Sequence, residues 1–430
     1  MAHDGLIEDI ERWLIDTSLG EPDIEQLFDA LCARLLGVGP PIHRAVLTWP
    51  TLHPLFQAEQ IFWKPDDGAK LLQYSHANRA TESWLKSPFH YVLTHRLDCL
   101  RRRLTGPDAL LDFEVLEEFR AQGFTDYLMT ASEFRIGEVA PFAERNTGII
   151  ASWATKREAG FTRGDLDALN RIQRIFAVAC RVAIQRRVTA NLVNTYLGPT
   201  AGAKALAGNI RRGDGARIRA VVYYADLRGS TMLSESMPAD EYLEFLRGYF
   251  DCAAQPVIDE GGEILDYIGD AVLAIFPIES EFGGQAAVRA ATRAMERALA
   301  LRREAMERAP EPEMRFCVSL AAGEVMFGNI GVPSRLSFSV IGSVVNEVAR
   351  MDDASKALGR SVLATRDIAS VDPDSWVSLG ERSLPGMAAP SELFVRRCEL
   401  DAFEPTPITL PRPPAVSARA NGSVPEATDL

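Results

Sequence analysis

The chain has 430 residues, 47% hydrophobic and 24% charged, a globular profile long enough for two or three domains with separate cores. Its 46 basic and 59 acidic residues leave a net charge of −13, which argues against nucleic-acid binding through a basic surface and against a polybasic membrane anchor. No apolar run approaches the roughly 18 residues of a membrane span, and the acidic start MAHDGLIEDIE is unlike a signal peptide.

The six cysteines (Cys32, Cys99, Cys180, Cys252, Cys317, Cys398) include no C-x-x-C pair. They predict reduced core thiols in a cytoplasmic protein. All six histidines (His3, His43, His53, His76, His90, His95) fall in the first 95 residues, so a metal site in the C-terminal half must use carboxylates or thiols. Scattered on a mixed module, the histidines themselves read as structural.

Residues 1–165 combine helical spacing at 6–16 and 24–36 with strand-like runs at Ala45–Trp49, Glu59–Trp63 and Gly148–Thr155, predicting an α+β module. The run GIIASWATKREAGFTRGDLDALNRIQRIFAVACRVAI resembles the last strand and closing helix of GAF-type sensory domains. That resemblance implies a sensory or regulatory domain over 1–165, with a ligand that these residues do not identify.

Residues 166–216 read as a helical connector. Leu169, Ile172, Phe176, Ala179, Ala183, Ala190, Val193 and Leu197 form one stripe, interrupted by Arg186. The stripe suits either a helix packed on its own domain or a dimeric, coiled-coil-like connector. The segment LGPTAGAKALAGNIRRGDGAR at 197–217 then breaks the helical pattern.

Next, Arg219–Ala225 reads as a buried strand running into Asp226 and LRGST, with a helix from Thr231. A carboxylate there, ahead of a glycine turn, suits a divalent ion, while N–H groups at Gly229, Ser230 and Thr231 face phosphates. An ordinary helix cap is the alternative. Forty-four residues on, GGEILDYIGDAVLAIF predicts a hairpin of Glu263–Tyr267 and Ala271–Phe276 with Asp270 at its tip. Asp226 and Asp270 together supply the carboxylates of a two-metal phosphoryl-transfer site. In RLSFSVIGSVVNEVARM, Leu336–Ile341 alternates as a strand and Gly342–Ser343 opens a helix. Asn346 and Arg350 then share one helical face, where they can hold a ribose oxygen and a phosphate.

In this order, ADLRGST, YIGDAVLAIF, GEVMFGNIG (323–331) and VIGSVVNEVAR (340–350) resemble the catalytic domain of class III nucleotidyl cyclases over about residues 217–397. The resemblance implies a ferredoxin-like (βαββαβ) domain, residues 217–400, that acts as a head-to-tail homodimer. It further implies two Mg²⁺ or Mn²⁺ ions on Asp226 and Asp270 with help from the Leu227 carbonyl. By the same resemblance Asn346 would orient the ribose and Arg350 would stabilise charge on the α-phosphate, both from the other chain. The product that the resemblance implies is a 3′,5′-cyclic nucleotide made from GTP or ATP.

Members of this family that make cyclic AMP usually carry Lys four residues before the second metal Asp, and Asp or Thr just before the V-I-G turn. Here those positions hold Asp266 and Ser339, and Lys356 is the only lysine after Lys204. A carboxylate accepts from guanine N1 and N2, and a serine hydroxyl donates to O6. The residues therefore favour GTP, with ATP as the alternative. A phosphate-binding lysine common near the last strand is replaced at Pro385, with Arg382 as a candidate substitute. These departures leave a catalytically silent nucleotide-binding module as a second alternative. A palm-like polymerase or cyclic-dinucleotide synthase fits less well, because the hairpin reads YIGDAV and the Asn/Arg helix belongs to the cyclase pattern. The tail 404–430, with six prolines and no aromatic residue, predicts disorder.

Overall fold

A computed structural model describes residues 2–76, 81–134, 148–278 and 283–400. The chain forms two compact units that divide between Tyr196 and Leu197. The Pro-rich tail lies outside the described residues. Among those described, no helix is long and apolar enough to cross a membrane.

The first unit runs α1 (Ala2–Ser18), α2 (Ile24–Val38), β1 (Arg44–Pro50), β2 (Phe56–Lys64), β3 (Gly68–Ser75), α3 (Glu82–Leu85), α4 (Pro88–His95), β4 (Cys99–Arg103), α5 (Glu114–Ala121), β5 (Asp126–Glu133), β6 (Gly148–Thr155) and α6 (Arg163–Leu197). Among the described residues, its six strands pair antiparallel in the order β3-β2-β1-β6-β5-β4. Alternation sorts the side chains by face. Ala45, Leu47, Trp49, Ile61, Trp63 and Trp153 pack with α1, α2 and α6. Tyr127, Met129, Ile150 and Ala154 pack with α4 and α5. The three strand-like runs seen in the sequence are β1, β2 and β6. Strands β3, β4 and β5 carried no usable period, and β4 holds three consecutive arginines.

On α6, the stripe from Leu169 to Ala183, extended by Val188, is buried in the first unit's own core. The packed reading therefore holds there. Ala190 and Val193 are half-buried, and Leu197 is exposed. Arg186 interrupts the stripe because its Nη2 turns out to Glu21, 2.6 Å away.

The second unit runs α7 (Pro199–Leu206), β7 (Gly215–Leu227), α8 (Ser230–Ser236), α9 (Ala239–Ala253), α10 (Gln255–Asp259), β8 (Glu263–Ile268), β9 (Ala271–Ile278), α11 (Gly284–Arg308), β10 (Phe316–Val332), β11 (Arg335–Ile341), α12 (Ser343–Leu358), β12 (Val362–Thr365), α13 (Arg366–Ala369), β13 (Trp376–Arg382), β14 (Ser391–Arg396) and α14 (Arg397–Leu400). Its sheet order is β13-β14-β12-β10-β7-β9-β8, with β11 folded back on β10. Within it, β7, β8, β9 and β10 follow a βαββαβ path with spatial order 4-1-3-2. From Ala220 to Leu227 both faces of β7 are covered, as that apolar run requires. Val221, Tyr223, Ala225 and Leu227 face the core that includes α9, α10 and α11. Ala220 and Val222 face the core that includes α12.

The reading of all six cysteines as core thiols needs correction. All are free, but Cys99 and Cys398 are exposed, on edge strand β4 and on α14. The other four are buried.

Candidate active site

The site grows from the end of β7. Alternation that sends Ala225 and Leu227 into one core sends Tyr224 and Asp226 to the face packed by α12. Strand β9 lies alongside with Ala225 opposite Val272, so Asp270, two residues before Val272, lies at the same end of the sheet as Asp226. Asp270 occupies the second place of a two-residue loop between Ile268 and Ala271. Gly269 takes the first, at φ +67°, a backbone conformation that glycine adopts without strain. The hairpin predicted from the sequence is thus present with the acid at its tip.

Three tyrosines register the gathered charge. Burial first, then the charges of Asp226, Asp352 and Asp270, pushes Tyr224 up to about 12, with Lys356 pulling the other way. Tyr242 is raised by burial and by Asp270. Tyr249 is raised by burial, by Tyr223, and by Asp226 and Asp270.

Sequence reasoning missed the partner of Asp226. The Lys356 ammonium donates to Asp226 Oδ2 at 2.9 Å and lies 2.7 Å from Asp352 Oδ2. Burial lowers Lys356, but its bonds to Asp352 and Asp226 outweigh that and raise it above the ordinary lysine value. Asp352 is buried, which raises its carboxyl against the pull of Lys356 and Arg228. Arg228 Nη1 stands 3.7 Å from Asp352 Oδ1, an ion pair too long for a hydrogen bond. Arg228 also donates to Ser355 Oγ, whose hydroxyl donates to the Asp352 carbonyl at 2.6 Å. The available sequence signal was the Asp352/Lys356 spacing of one helical turn.

Asn346 and Arg350 lie on a different, exposed face of α12, about a quarter and about a third of a turn around the helix from Lys356. Arg350 Nη1 pairs with Asp353 at 3.5 Å. Asp266 is exposed on β8 beside a register shift. Ser339 is half-buried on β11 opposite Gly328. Strands β8 and β11 approach within 8 Å between Cα atoms. Gly229, at φ +71°, opens α8 ahead of Ser230 and Thr231. Arg382 ends β13, and Pro385 is exposed in the following loop.

Two carboxylates and a backbone carbonyl suit a hard divalent cation that keeps waters and takes substrate phosphate as further ligands. No cluster of three or more His, Cys, Asp or Glu side chains capable of holding a metal occurs among the described residues. In this structure the Lys356 ammonium is the cation paired with Asp226.

Residues 217–372 match the family model of the adenylate and guanylate cyclase catalytic domain. Over 254 residues the chain is 31% identical to an uncharacterized protein of Mycobacterium tuberculosis, covering 56% of this chain and 46% of that one. Over 160 residues it is 29% identical to a protein named adenylate cyclase from Anabaena cylindrica, covering 37% and 32%. The chain spans less than half the length of these curated relatives. A crystal structure of an adenylyl cyclase from P. aeruginosa aligns at TM-score 0.37 and 22% identity, covering 43% of this chain and 95% of that one. The second unit carries a class III adenylate/guanylate cyclase catalytic domain.

Proposed function

We propose that this cyclase domain converts a purine nucleoside triphosphate, preferentially GTP, to a 3′,5′-cyclic nucleotide and pyrophosphate as a homodimer, with the first unit as its regulatory input. One observation carries the reading: Asp226 and Asp270 stand at the same end of the adjacent strands β7 and β9.

Asp226, Asp270 and the Leu227 carbonyl would hold Mg²⁺ or Mn²⁺. Such ions supply positive charge against the triphosphate and make the attacking ribose hydroxyl more acidic. The chain's own residues position the rest. Asn346 holds the ribose so that its 3′-oxygen lies in line with the α-phosphorus. Arg350 forks onto the α-phosphate, where negative charge builds as the new P–O bond forms and the bond to pyrophosphate breaks. N–H groups of Gly229, Ser230 and Thr231 steady the outgoing phosphates.

The exposed positions of Asn346 and Arg350, on another face of α12 from Lys356, support a site completed by a second copy. Met326, Val332 and Ile341 on the β10–β11 hairpin and Tyr267 and Ile268 on β8 are exposed apolar side chains that such a partner would cover. Asp266 and Ser339 support guanine. Similarity to the cyclase from Anabaena cylindrica supports adenine instead.

Product analysis separates the readings. The purified chain is incubated with GTP or ATP, each with Mn²⁺ or Mg²⁺, and products are resolved by chromatography. Cyclic GMP as the main product is expected. Cyclic AMP would keep the enzyme and refute the base argument. No cyclic product under any condition would overturn the proposal in favour of a silent nucleotide-binding module.

A further inference from the structure

We propose that Lys356 is a built-in competitor for the metal site: its ammonium neutralises Asp226 until a divalent cation displaces it, and Asp352 then retains it. This inference rests on the reading of Asp226 as a metal ligand.

Lys356 is poised between two carboxylates. Its ammonium lies 2.9 Å from Asp226 Oδ2 and 2.7 Å from Asp352 Oδ2. Asp226, Asp352, Lys356 and Arg228 carry two negative and two positive charges, so the ammonium offsets Asp226 locally, while Asp270 at the same end of the sheet adds a further negative charge. A divalent cation on Asp226 would face the ammonium across a single carboxylate, and like charges at that separation repel. Lys356 can yield because its side chain is 46% exposed and its stem is flexible. Asp352 cannot follow, because its side chain is only 5% exposed and Arg228 flanks it. Exchange at Asp226 therefore leaves Lys356 with a partner one helical turn away, and no buried carboxylate loses its counter-ion. Lys356 is the only lysine after Lys204.

The alternative role for Lys356 is a strut that holds Asp226 in a metal-ready orientation. The two roles predict opposite signs. Mn²⁺ binding to the purified, chelator-stripped full chain is measured by titration calorimetry without nucleotide, for wild type, Lys356→Met, Lys356→Gln, Lys356→Arg and Asp270→Ala. Competition predicts that Lys356→Met and Lys356→Gln bind Mn²⁺ more tightly, by about tenfold for one charge pair at a half-exposed site. Lys356→Arg, which keeps the charge, should stay near wild type. Circular dichroism verifies that each variant is folded, and agreement between Met and Gln guards against a repacking effect. Unchanged or weaker Mn²⁺ binding in both neutral variants would overturn the proposal. Undiminished binding in Asp270→Ala would remove Asp270 from the metal site, and undiminished binding in an Asp226→Ala chain measured alongside would overturn the metal assignment on which the proposal rests, whatever Lys356→Met does.

Discussion

Charge is handled in opposite ways by the two units. In the first, buried acids are saturated. Glu59 is fully buried and accepts from Nε and Nη2 of Arg187, at 2.7 and 2.8 Å, plus Gln73 at 2.9 Å. Asp126 takes Arg101 at 2.6 and 3.2 Å and the Phe161 N–H at 2.9 Å. Asp165 takes Arg157 together with the Thr162 N–H and hydroxyl. In the second unit, Asp226 shares one lysine with Asp352, and Asp352 Oδ1 has an arginine at 3.7 Å without a hydrogen bond. Saturated pairs join distant segments and have little capacity left for a ligand. Carboxylates gathered at a strand end with too few donors keep that capacity.

The largest effect should come from breaking the unsaturated cluster. Asp226→Ala is expected to cut cyclic-nucleotide formation by about a thousandfold or more, because several kcal/mol of charge stabilisation depends on that carboxylate. Its melting temperature should stay at or above wild type. The Asp226 charge is one of the causes that raise Asp352, and Lys356 remains to pair with Asp352. A large fall in melting temperature would mean that Asp226 is structural after all.

The saturated pairs should answer in reverse. Arg187→Met strands Glu59 as an uncompensated buried charge, expected to destabilise the first unit by about 3–5 kcal/mol. Glu59→Leu combined with Arg187→Met should recover most of that loss, since apolar packing often replaces a buried pair without penalty. Urea denaturation of the single and double variants measures both. Equal losses in the two would show that the pair contributes more than its packing.

A third test asks whether the unsaturated site is completed by a second chain. Asp226→Ala and Arg350→Ala chains, each inactive alone, are mixed at equal concentration after exchange. Half the dimers then pair the two variants, and each of these has one intact site, so about a quarter of wild-type activity should return. Silence despite exchange, followed by size-exclusion chromatography of differently tagged chains, would place the whole site within one chain.

What the sequence made legible follows the same division. The β8–β9 hairpin, the β7–Asp226 junction and the start of α12 were readable because each rests on local chemistry: a glycine turn, a strand period, a helix opening after Gly342. Strands β3, β4 and β5 were not. Arginines in β4 point to acids such as Asp126 and Asp112, which only the fold brings near. The Lys356–Asp226 contact spans 130 residues. Tertiary packing of α12 on the even-numbered face of β7 creates it, and no spacing rule reports it. The α6 stripe was visible, yet its two readings differ in what covers it, a fact that periodicity does not hold.

The smallest change to the protein itself is expected at Asp266. This carboxylate is exposed on edge strand β8, so Asp266→Lys should leave stability within about 0.5 kcal/mol. Its effect should instead appear in substrate choice. A carboxylate accepts from guanine N1 and N2, whereas an ammonium donates to adenine N1 and repels the guanine donors. A mismatched polar group in the closed site costs about 1–3 kcal/mol, equivalent to a shift of roughly ten- to a hundredfold in the GTP-to-ATP ratio of kcat/KM. Competition assays with both nucleotides measure that ratio directly. A ratio that stays put while activity persists would remove Asp266 from base recognition and leave Ser339 as the residue to change next. A shift toward ATP would show that an exposed, unsaturated carboxylate of one protomer is completed by ligand, as the comparison between the two units requires.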